Sequence, residues 1–166
     1  MNEAEQEDTQ ADDIGALYDF TVADRTNVYR FVTFGQVNPA EAARVFQATG
    51  LRIAGFTHIV DTSAVRHIVN QHGGPKEVLR GQVSITRTDV LRLPAIVGTP
   101  ERIENGGKTK QGRDTIRYYK RVNGEEMVYL EEVRTKWRRL APVTLRKTRA
   151  AREETEAVSP TPDAPS

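Results

Sequence analysis

The 166-residue chain has no cysteine. Disulfides, thiolate metal sites and a cysteine nucleophile are therefore excluded, and the absence of cysteine fits a reducing compartment. No apolar run approaches the roughly 20 residues of a membrane span, and the N-terminus lacks the basic start and apolar segment of an export signal. We expect a soluble protein of one domain that has no membrane partner.

Several enzyme signatures are missing as well. Neither Gly-x-Ser-x-Gly nor the full phosphate-loop motif Gly-x4-Gly-Lys-Ser/Thr occurs, because Gly107-Lys108-Thr109 lacks the glycine five residues earlier, so serine-hydrolase and phosphate-loop chemistry are not indicated. His67 and His72 stand five residues apart and do not share one helix face, and the nearest further ligand is Asp61. We predict no metal site and no cofactor.

Basic residues are scarce at both ends of the chain. Residues 1–13 hold six acids and no base, residues 151–166 hold four acids and one arginine, and residues 14–150 carry 23 basic and 13 acidic side chains. We expect disordered acidic tails at 1–13 and 151–166 around a basic domain at 14–150. Such a basic body favours a polyanionic partner. The alternative is a well-solvated lysine and arginine surface.

The pattern of elements changes near residue 100. Before it, "NVYRFVTFGQV" and "FTHIV" predict strands. "NPAEAARVFQATG" predicts a helix with Asn38 as its N-cap, residues 62–72 predict a helix capped by Asp61, and "TRTDVLRLPAIV" predicts a helix bent or broken at Pro94. After it, "TIRYYKRV" and "EEMVYLEEVR" flank Asn123-Gly124, a strong hairpin signal, and "APVTLRKT" predicts a further strand. This order predicts an α+β fold with N-terminal helices packed on a C-terminal antiparallel β-sheet of about four strands.

A two-residue turn fixes which hairpin side chains share a face. The two sets are Ile116, Tyr118, Lys120 and Val122 on one side, and Thr115, Arg117, Tyr119 and Arg121 on the other. Because the helices can cover only one face, we predict that the other is a working surface, where arginine and tyrosine suit single-stranded nucleic acid. The alternative is an ordinary solvated strand. Trp137 is either a core anchor, the interpretation we favour, or a base-stacking platform.

Two of the three histidines lie on the helix predicted at 62–72. His72 falls in an apolar stripe and His67 points to the opposite side. His72 is either a satisfied core group or a proton donor favoured by the helix C-terminus.

Histidines and arginines without a metal suit the cleavage of a phosphodiester. This reaction needs a well-placed nucleophile, and RNA carries one in its own 2′-hydroxyl. A base, an acid and cations would complete that chemistry.

A resemblance adds to this interpretation. The runs "VRHIVNQHGGPKEVLRGQVSITRTDVLRLPAIV", "IRYYKRVNGEEMVYLEEVR" and "APVTLRKT", in this order, resemble the phage-associated branch of the barnase, EndoU, colicin E5/D and RelE (BECR) superfamily of metal-independent RNases. Its members occur in phage head-morphogenesis proteins and in large injected polyvalent proteins. The resemblance covers about residues 28–150 and implies the same order of helices and then a four-stranded sheet.

The resemblance also implies a site. One histidine, His72 by preference, would act as general acid or base, and the catalytic set is His67, His72, Arg80, Lys120 and Thr144. Arg80 and Lys120 would hold the scissile phosphate, and Thr144 would donate a hydrogen bond to it. The expected RNA contacts are Arg66, Arg117, Tyr119, Arg121, Arg146 and Lys147. The last strand reads Thr-Leu-Arg-Lys, where the resemblance leads us to expect an aromatic before the lysine.

We therefore predict a toxin-like, metal-independent endoribonuclease that uses the 2′-hydroxyl of RNA and leaves a 2′,3′-cyclic phosphate. A non-catalytic nucleic-acid-binding domain and a phage structural adaptor remain as alternatives. The expected partners are RNA, with tRNA as one candidate, an antitoxin or immunity protein, and phage virion proteins. The expected location is the cytoplasm of a bacterial host or the virion.

Overall fold

The computed structural model describes residues 3–72 and 82–149. Its helices are α1 (Glu3–Ala23), α2 (Pro39–Thr49), α3 (Thr62–His72), α4 (Arg87–Leu91) and α5 (Leu93–Gly98). Its strands are β1 (Phe31–Gln36), β2 (Thr57–Asp61), β3 (Gln82–Val83), β4 (Arg102–Lys108), β5 (Asp114–Val122), β6 (Glu125–Arg134) and β7 (Arg139–Thr148). Six strands follow the order β1-β2-β7-β6-β5-β4, and β3 pairs with the end of β7. The predicted α+β class is confirmed.

The sheet is larger than the expected four strands, because the strands of the N-terminal half join it. β2 pairs in parallel with β7, whereas the other pairs are antiparallel. Two strands were not predicted. β4 reads "RIENGGK", which is polar and contains two glycines, and β3 has only two residues. Neither segment shows the apolar alternation that marks a strand in sequence.

The helix boundaries follow their capping residues. The Asn38 side chain accepts from the Glu41 amide at 2.8 Å and begins α2. Asp61 Oδ1 accepts from the Ala64 amide at 2.8 Å and begins α3. The third predicted helical segment divides into α4 and α5 beside Pro94. These starts and this break agree with the sequence, since capping depends on neighbouring residues alone.

The hairpin of β5 and β6 turns at Asn123 and Gly124, as predicted. Both residues have positive φ, 51° and 79°, which is the backbone geometry of a type I′ turn. Tyr118 then lies opposite Tyr129, so the two predicted sets of side chains occupy opposite faces of the sheet. We call the face that carries Tyr118 the inner face and the face that carries Tyr119 the open face.

The hydrophobic core lies between the helices and the inner face. Its members include Ile14, Phe34, Val45, Ile68, Leu93, Ile96, Ile116, Tyr118, Met127, Tyr129, Leu140 and Leu145. Ile59 and Val128 are also buried, but they lie outside this cluster. The register puts both on the open face, at separate places on the sheet.

The two ends of the chain bear on the expected domain boundaries. α1 begins at Glu3, so the boundary expected between residues 13 and 14 falls inside this helix. Acidic residues favour the first turns of a helix because its N-terminus carries a partial positive charge. Residues 150–166, with the second acidic tail, lie outside the described residues. Among the helices that the structure describes, none is both long and apolar enough to cross a membrane.

The third histidine, His58 on β2, is buried between two carboxylates. Its Nδ1 lies 2.8 Å from Glu131 on β6, and its Nε2 lies 2.7 Å from Glu41 on α2. Burial alone would lower the pKa of His58, but these carboxylates raise it to about 10. The ring is therefore an imidazolium that donates to both acids at neutral pH. The hydroxyls of Tyr118 and Tyr129 donate to Glu131 at 3.0 and 3.2 Å.

We expect His58→Gln to lower the free energy of unfolding by about 3–5 kcal/mol at pH 6, because it leaves two buried carboxylates without their cation. The pKa of His58 is raised on folding from 6.5 to about 10. Its contribution is therefore complete below pH 6.5, declines above it and is gone above about pH 10. Urea unfolding at pH 6 and pH 10 should show the difference between the parent and the variant shrinking as the pH rises.

The control is Arg87→Gln, which breaks a more exposed ion pair with Asp19. This substitution should have little effect at either pH. A difference between the parent and His58→Gln that stays constant from pH 6 to pH 10 would contradict the assignment of His58 as a buried cation.

Candidate functional site

The structure describes only some of the site residues that were expected on α3 and just after it. His67 is exposed on α3, on the side opposite the buried Val65 and Ile68. His72 is the last residue of α3, but its side chain lies outside the described residues, and Arg80 lies wholly outside them. α3 packs against β7, so His67 stands on the helix next to the last strand.

Arg66 contacts the chain that precedes β1. Its guanidinium donates to Asp24 at 3.0 Å and to the carbonyl of Val28 at 3.2 Å. The Arg66 side chain is 23% exposed, and it borders a cavity of about 250 Å³ between the end of α1 and α3. An arginine with one acidic partner at a cavity mouth can still hold an anion, but at greater cost than an unpaired one.

Lys120 lies on the inner face, within reach of the end of α5. Its ammonium donates to the carbonyl of Thr99 at 2.8 Å and to the Thr99 hydroxyl at 3.0 Å. A cation at a helix C-terminus binds carbonyls that have no partner within the helix. The observed role of Lys120 is thus to join β5 to α5.

Lys147 also points to the inner face, where it is 7% exposed. Its ammonium lies 2.6 Å from Asp89 on α4 and 3.8 Å from Glu125. Burial would raise the pKa of Asp89, but the hydrogen bonds from Lys147 and Thr86 outweigh it and hold that pKa below its usual value. Lys147 therefore pairs with an ionised buried acid.

Neighbouring residues of β7 thus face opposite ways. Arg146 is exposed and lies opposite Val128, and Thr144 lies opposite Leu130, both on the open face. The structure brings Thr144 and Arg146 together with the arginines of β5. It does not bring Lys120 and Lys147 there.

The open face carries a group of cations around a tyrosine. Arg117, Tyr119 and Arg121 project from β5, and the Tyr119 hydroxyl donates to Glu104 at 2.7 Å. Arg102 of β4 stacks 3.7 Å above the centre of the Tyr119 ring. We call this surface the arginine–tyrosine patch: Arg102, Arg117, Tyr119, Arg121 and Arg146. Guanidinium groups can bind phosphates in pairs of hydrogen bonds, and an oriented ring can stack on a base.

Sequence reasoning missed Arg102, and it placed Trp137 wrongly. Arg102 lies on the unpredicted strand β4, so nothing in the sequence paired it with Tyr119. Trp137 was expected in the core but is 61% exposed on the single 3₁₀ turn between β6 and β7. The signal for exposure was its setting in "RTKWRR", because a buried ring rarely has four charged neighbours in six residues.

Among the described residues, no group of three His, Asp or Glu side chains is arranged to hold a metal ion.

The fold is an α+β arrangement in which helices cover one face of a mostly antiparallel sheet. Residues 35–155 match the family described as phage-Barnase-EndoU-ColicinE5/D-RelE like nuclease 3, and the chain belongs to this nuclease family. Searches of curated proteins and of solved structures gave no match.

Arg146 and Lys147 allow a direct test of the face assignment. We expect Lys147→Met to lower the free energy of unfolding by about 1–3 kcal/mol, because it removes the buried cation from Asp89 and leaves this carboxylate with the more exposed Arg92. The matched change Arg146→Met should leave stability nearly unchanged, because that side chain is exposed. Thermal and urea unfolding of both variants measure this. Equal losses, or a larger loss for Arg146→Met, would show that the two side chains are assigned to the wrong faces.

Proposed function

We propose that this member of the nuclease family is a metal-independent endoribonuclease that binds RNA on the open face of its sheet. The observation that carries the proposal is the arginine–tyrosine patch, which gathers four guanidinium groups on the face that the helices leave uncovered. Its acids, Glu104 and Glu126, are fewer than its arginines. The surplus positive charge favours a polyanion.

Phosphate binding falls to Arg117, Arg121 and Arg146 in this proposal. Arg117 and Arg121 lie on β5 and Arg146 lies on β7, with β6 between these strands, so the guanidinium groups are spread across the sheet and can hold successive phosphates. Tyr119 is kept in one orientation by Glu104 and Arg102, which lowers the entropy lost when a base stacks on it. Lys120 and Lys147 are left out of the RNA contacts, because Thr99 and Asp89 bind their ammonium groups on the inner face.

The reaction needs two proton transfers and no metal. A base takes the proton of the 2′-hydroxyl, the 2′-oxygen attacks the phosphorus, and the 5′-oxygen leaves with a proton from an acid. The products are a 2′,3′-cyclic phosphate and a free 5′-hydroxyl. We assign the two transfers to His67 and His72, since His58 is held by two buried carboxylates. Arg80, which follows α3 in sequence, completes the proposed contacts to the scissile phosphate. Thr144 lies on the open face, across the sheet from α3, so it contacts the bound strand there and not the scissile phosphate. RNA held on the open face reaches the histidines by passing around the sheet.

The activity is tested by incubating the full chain with labelled RNA in EDTA beside the double variant His67→Ala, His72→Ala. The parent should cut RNA to 2′,3′-cyclic phosphate ends and leave DNA intact, because DNA lacks the nucleophile. The variant should lose activity by about 10²-fold or more. The matched control is Ser63→Ala, Asn70→Ala, which changes exposed residues on the same side of α3 as His67 and should retain activity.

The results separate three kinds of protein. Cleavage that survives the histidine substitutions would overturn the proposed roles of His67 and His72. Salt-sensitive RNA binding by the parent without cleavage would indicate a non-catalytic binding domain. Neither cleavage nor binding would leave a phage structural adaptor as the better account.

RNA binding is tested separately with Arg117→Gln, Arg121→Gln. This double variant should weaken binding to uncleavable 2′-O-methyl RNA. It should also reduce the slope of log K against log salt by about 0.7 for each phosphate that the protein no longer neutralises. The control Arg25→Gln changes an exposed arginine away from the sheet. Unchanged affinity and slope in the double variant would exclude the open face as the RNA site.

A further inference from the structure

A second group of aromatic and cationic side chains surrounds Arg139 at the start of β7. The Arg139 guanidinium lies 4.5 Å from the centre of the Phe31 ring and 6.0 Å from that of Trp137. Tyr29 lies beside Phe31, with ring centres 6.3 Å apart. Lys136 lies 5.2 Å from the centre of the Trp137 ring. We call this surface the Trp137 patch: Tyr29, Phe31, Lys136, Trp137 and Arg139.

The strand register places the Trp137 patch on the open face. Arg139 lies opposite Arg134 on β6, which shares a face with Val128 because the two are six residues apart. Thr57 of β2 pairs with Arg139, and Asp61, four residues further on, pairs with Phe31. The face that carries the arginine–tyrosine patch at one end therefore carries the Trp137 patch at the other.

The three rings are exposed to an unusual degree for this chain. The exposed fractions are 53% for Tyr29, 39% for Phe31 and 61% for Trp137. The remaining large apolar side chains that are exposed in the described part of the chain are Val22, Val28 and Phe46. Three exposed aromatic rings on one surface do not stabilise a free monomer. A cluster of this kind is typical of a binding surface.

Tyr29 and the backbone turn that carries Trp137 are also held in place. The Tyr29 hydroxyl donates to Asp61 at 3.3 Å. The turn that carries Trp137 ends at Arg138, which has a positive φ of 53°. The Arg138 guanidinium donates to the carbonyl of Ala54 at 3.0 Å. A turn fixed in this way can offer its ring to a ligand with little loss of entropy.

The charges that accompany the rings are positive at the surface. Lys136 is exposed, and Arg139 and Arg134 are half-buried. The neighbouring acids Asp61 and Glu132 are buried, and both contact Arg134. Cations between exposed rings fit a ligand that combines negative charge with flat apolar faces. A purely apolar peptide would gain nothing from the guanidinium and ammonium groups.

We propose that the Trp137 patch binds the unpaired bases of single-stranded RNA by stacking, while the arginine–tyrosine patch holds phosphates. This inference rests on the proposed function and narrows its substrate class to unpaired RNA. Bases in a duplex offer only their edges, whereas the bases of a single strand expose their faces to aromatic side chains and to arginine. The cations of the patch hold the adjoining phosphates.

Trp137 is the single tryptophan of the chain, so its fluorescence reports on this patch alone. We expect a 2′-O-methyl RNA single strand, which cannot be cut, to quench this fluorescence in a saturable titration. The same sequence annealed to its complement should quench far less, and inorganic polyphosphate should compete for charge without quenching. Equal quenching by single strand and duplex, or none by either, would overturn the proposal.

Variants locate the binding energy. Phe31→Leu and Arg139→Gln should each weaken binding of the single strand about tenfold, the size expected for one stacked base. The matched controls are Phe46→Leu and Arg52→Gln, since Arg52 lies 4.6 Å from the centre of the Phe46 ring and Phe46 is 42% exposed. The controls should bind as the parent does. Equal effects of the two pairs of variants would show that the patch has no special role.

The failure of this inference differs from the failure of the proposed function. Cleavage of RNA with unchanged affinity in Phe31→Leu and Arg139→Gln would keep the nuclease and remove the stacking site. Quenching by single strands without any cleavage would keep the stacking site and remove the nuclease. Far-ultraviolet circular dichroism of each variant confirms that it has folded before binding is compared.

Discussion

The buried ion cluster around His58 is the interaction on which the rest of the structure depends. It joins α2, β2 and β6, because His58 of β2 contacts Glu131, 73 residues away in sequence, and Glu41, 17 residues away in the other direction. Breaking the cluster would leave charged groups unpaired in the core, where each unpaired charge costs several kcal/mol of folding free energy. Glu131 is buried at the centre of the cluster, and it accepts from His58, Tyr118 and Tyr129 at once. These three hydrogen bonds require Glu131 to point to the inner face, and this sets the orientation of every other side chain of β6.

The orientation of β6 decides which residues reach the surface. Side chains alternate along a strand, so placing Glu131 inward places Val128 and Leu130 outward, together with their partners on β5 and β7. The inner-face cations Lys120 and Lys147 then meet Thr99 and Asp89, and their hydrogen-bonding capacity is used within the fold. The open-face arginines have fewer acidic neighbours than they could bind. Fold stability and the proposed binding surface thus follow from one choice of register.

Local patterns predicted the elements well, and distant pairings much less. The caps at Asn38 and Asp61 and the turn at Asn123 depend on neighbouring residues, and all three were predicted. The parallel pairing of β2 with β7 depends on contacts across about 80 residues, which no local pattern records. His58 was not predicted to be a buried cation for the same reason: only the folded structure brings Glu41 and Glu131 next to it. His67 and His72 stay candidates by their spacing and by the family resemblance.

The candidate site shows the same division between local and distant information. Alternation along β5 was enough to predict that Arg117, Tyr119 and Arg121 share a face. It was not enough for Lys147, whose burial depends on Asp89, 58 residues earlier in the chain. Trp137 was misplaced because apolar residues are usually buried, and only the tertiary structure shows Phe31 and Arg139 beside it.

The two patches on the open face lie too far apart to bind one nucleotide. Arg139 and Arg146 are seven residues apart on β7, which corresponds to about 23 Å along a strand. A ligand that contacts both must therefore be an extended chain with repeating charge and exposed rings. The arginine–tyrosine patch supplies more cations than rings, and the Trp137 patch supplies more rings than cations. This difference between the two ends of the face would orient a bound single strand, with its phosphates held at one end and its bases stacked at the other.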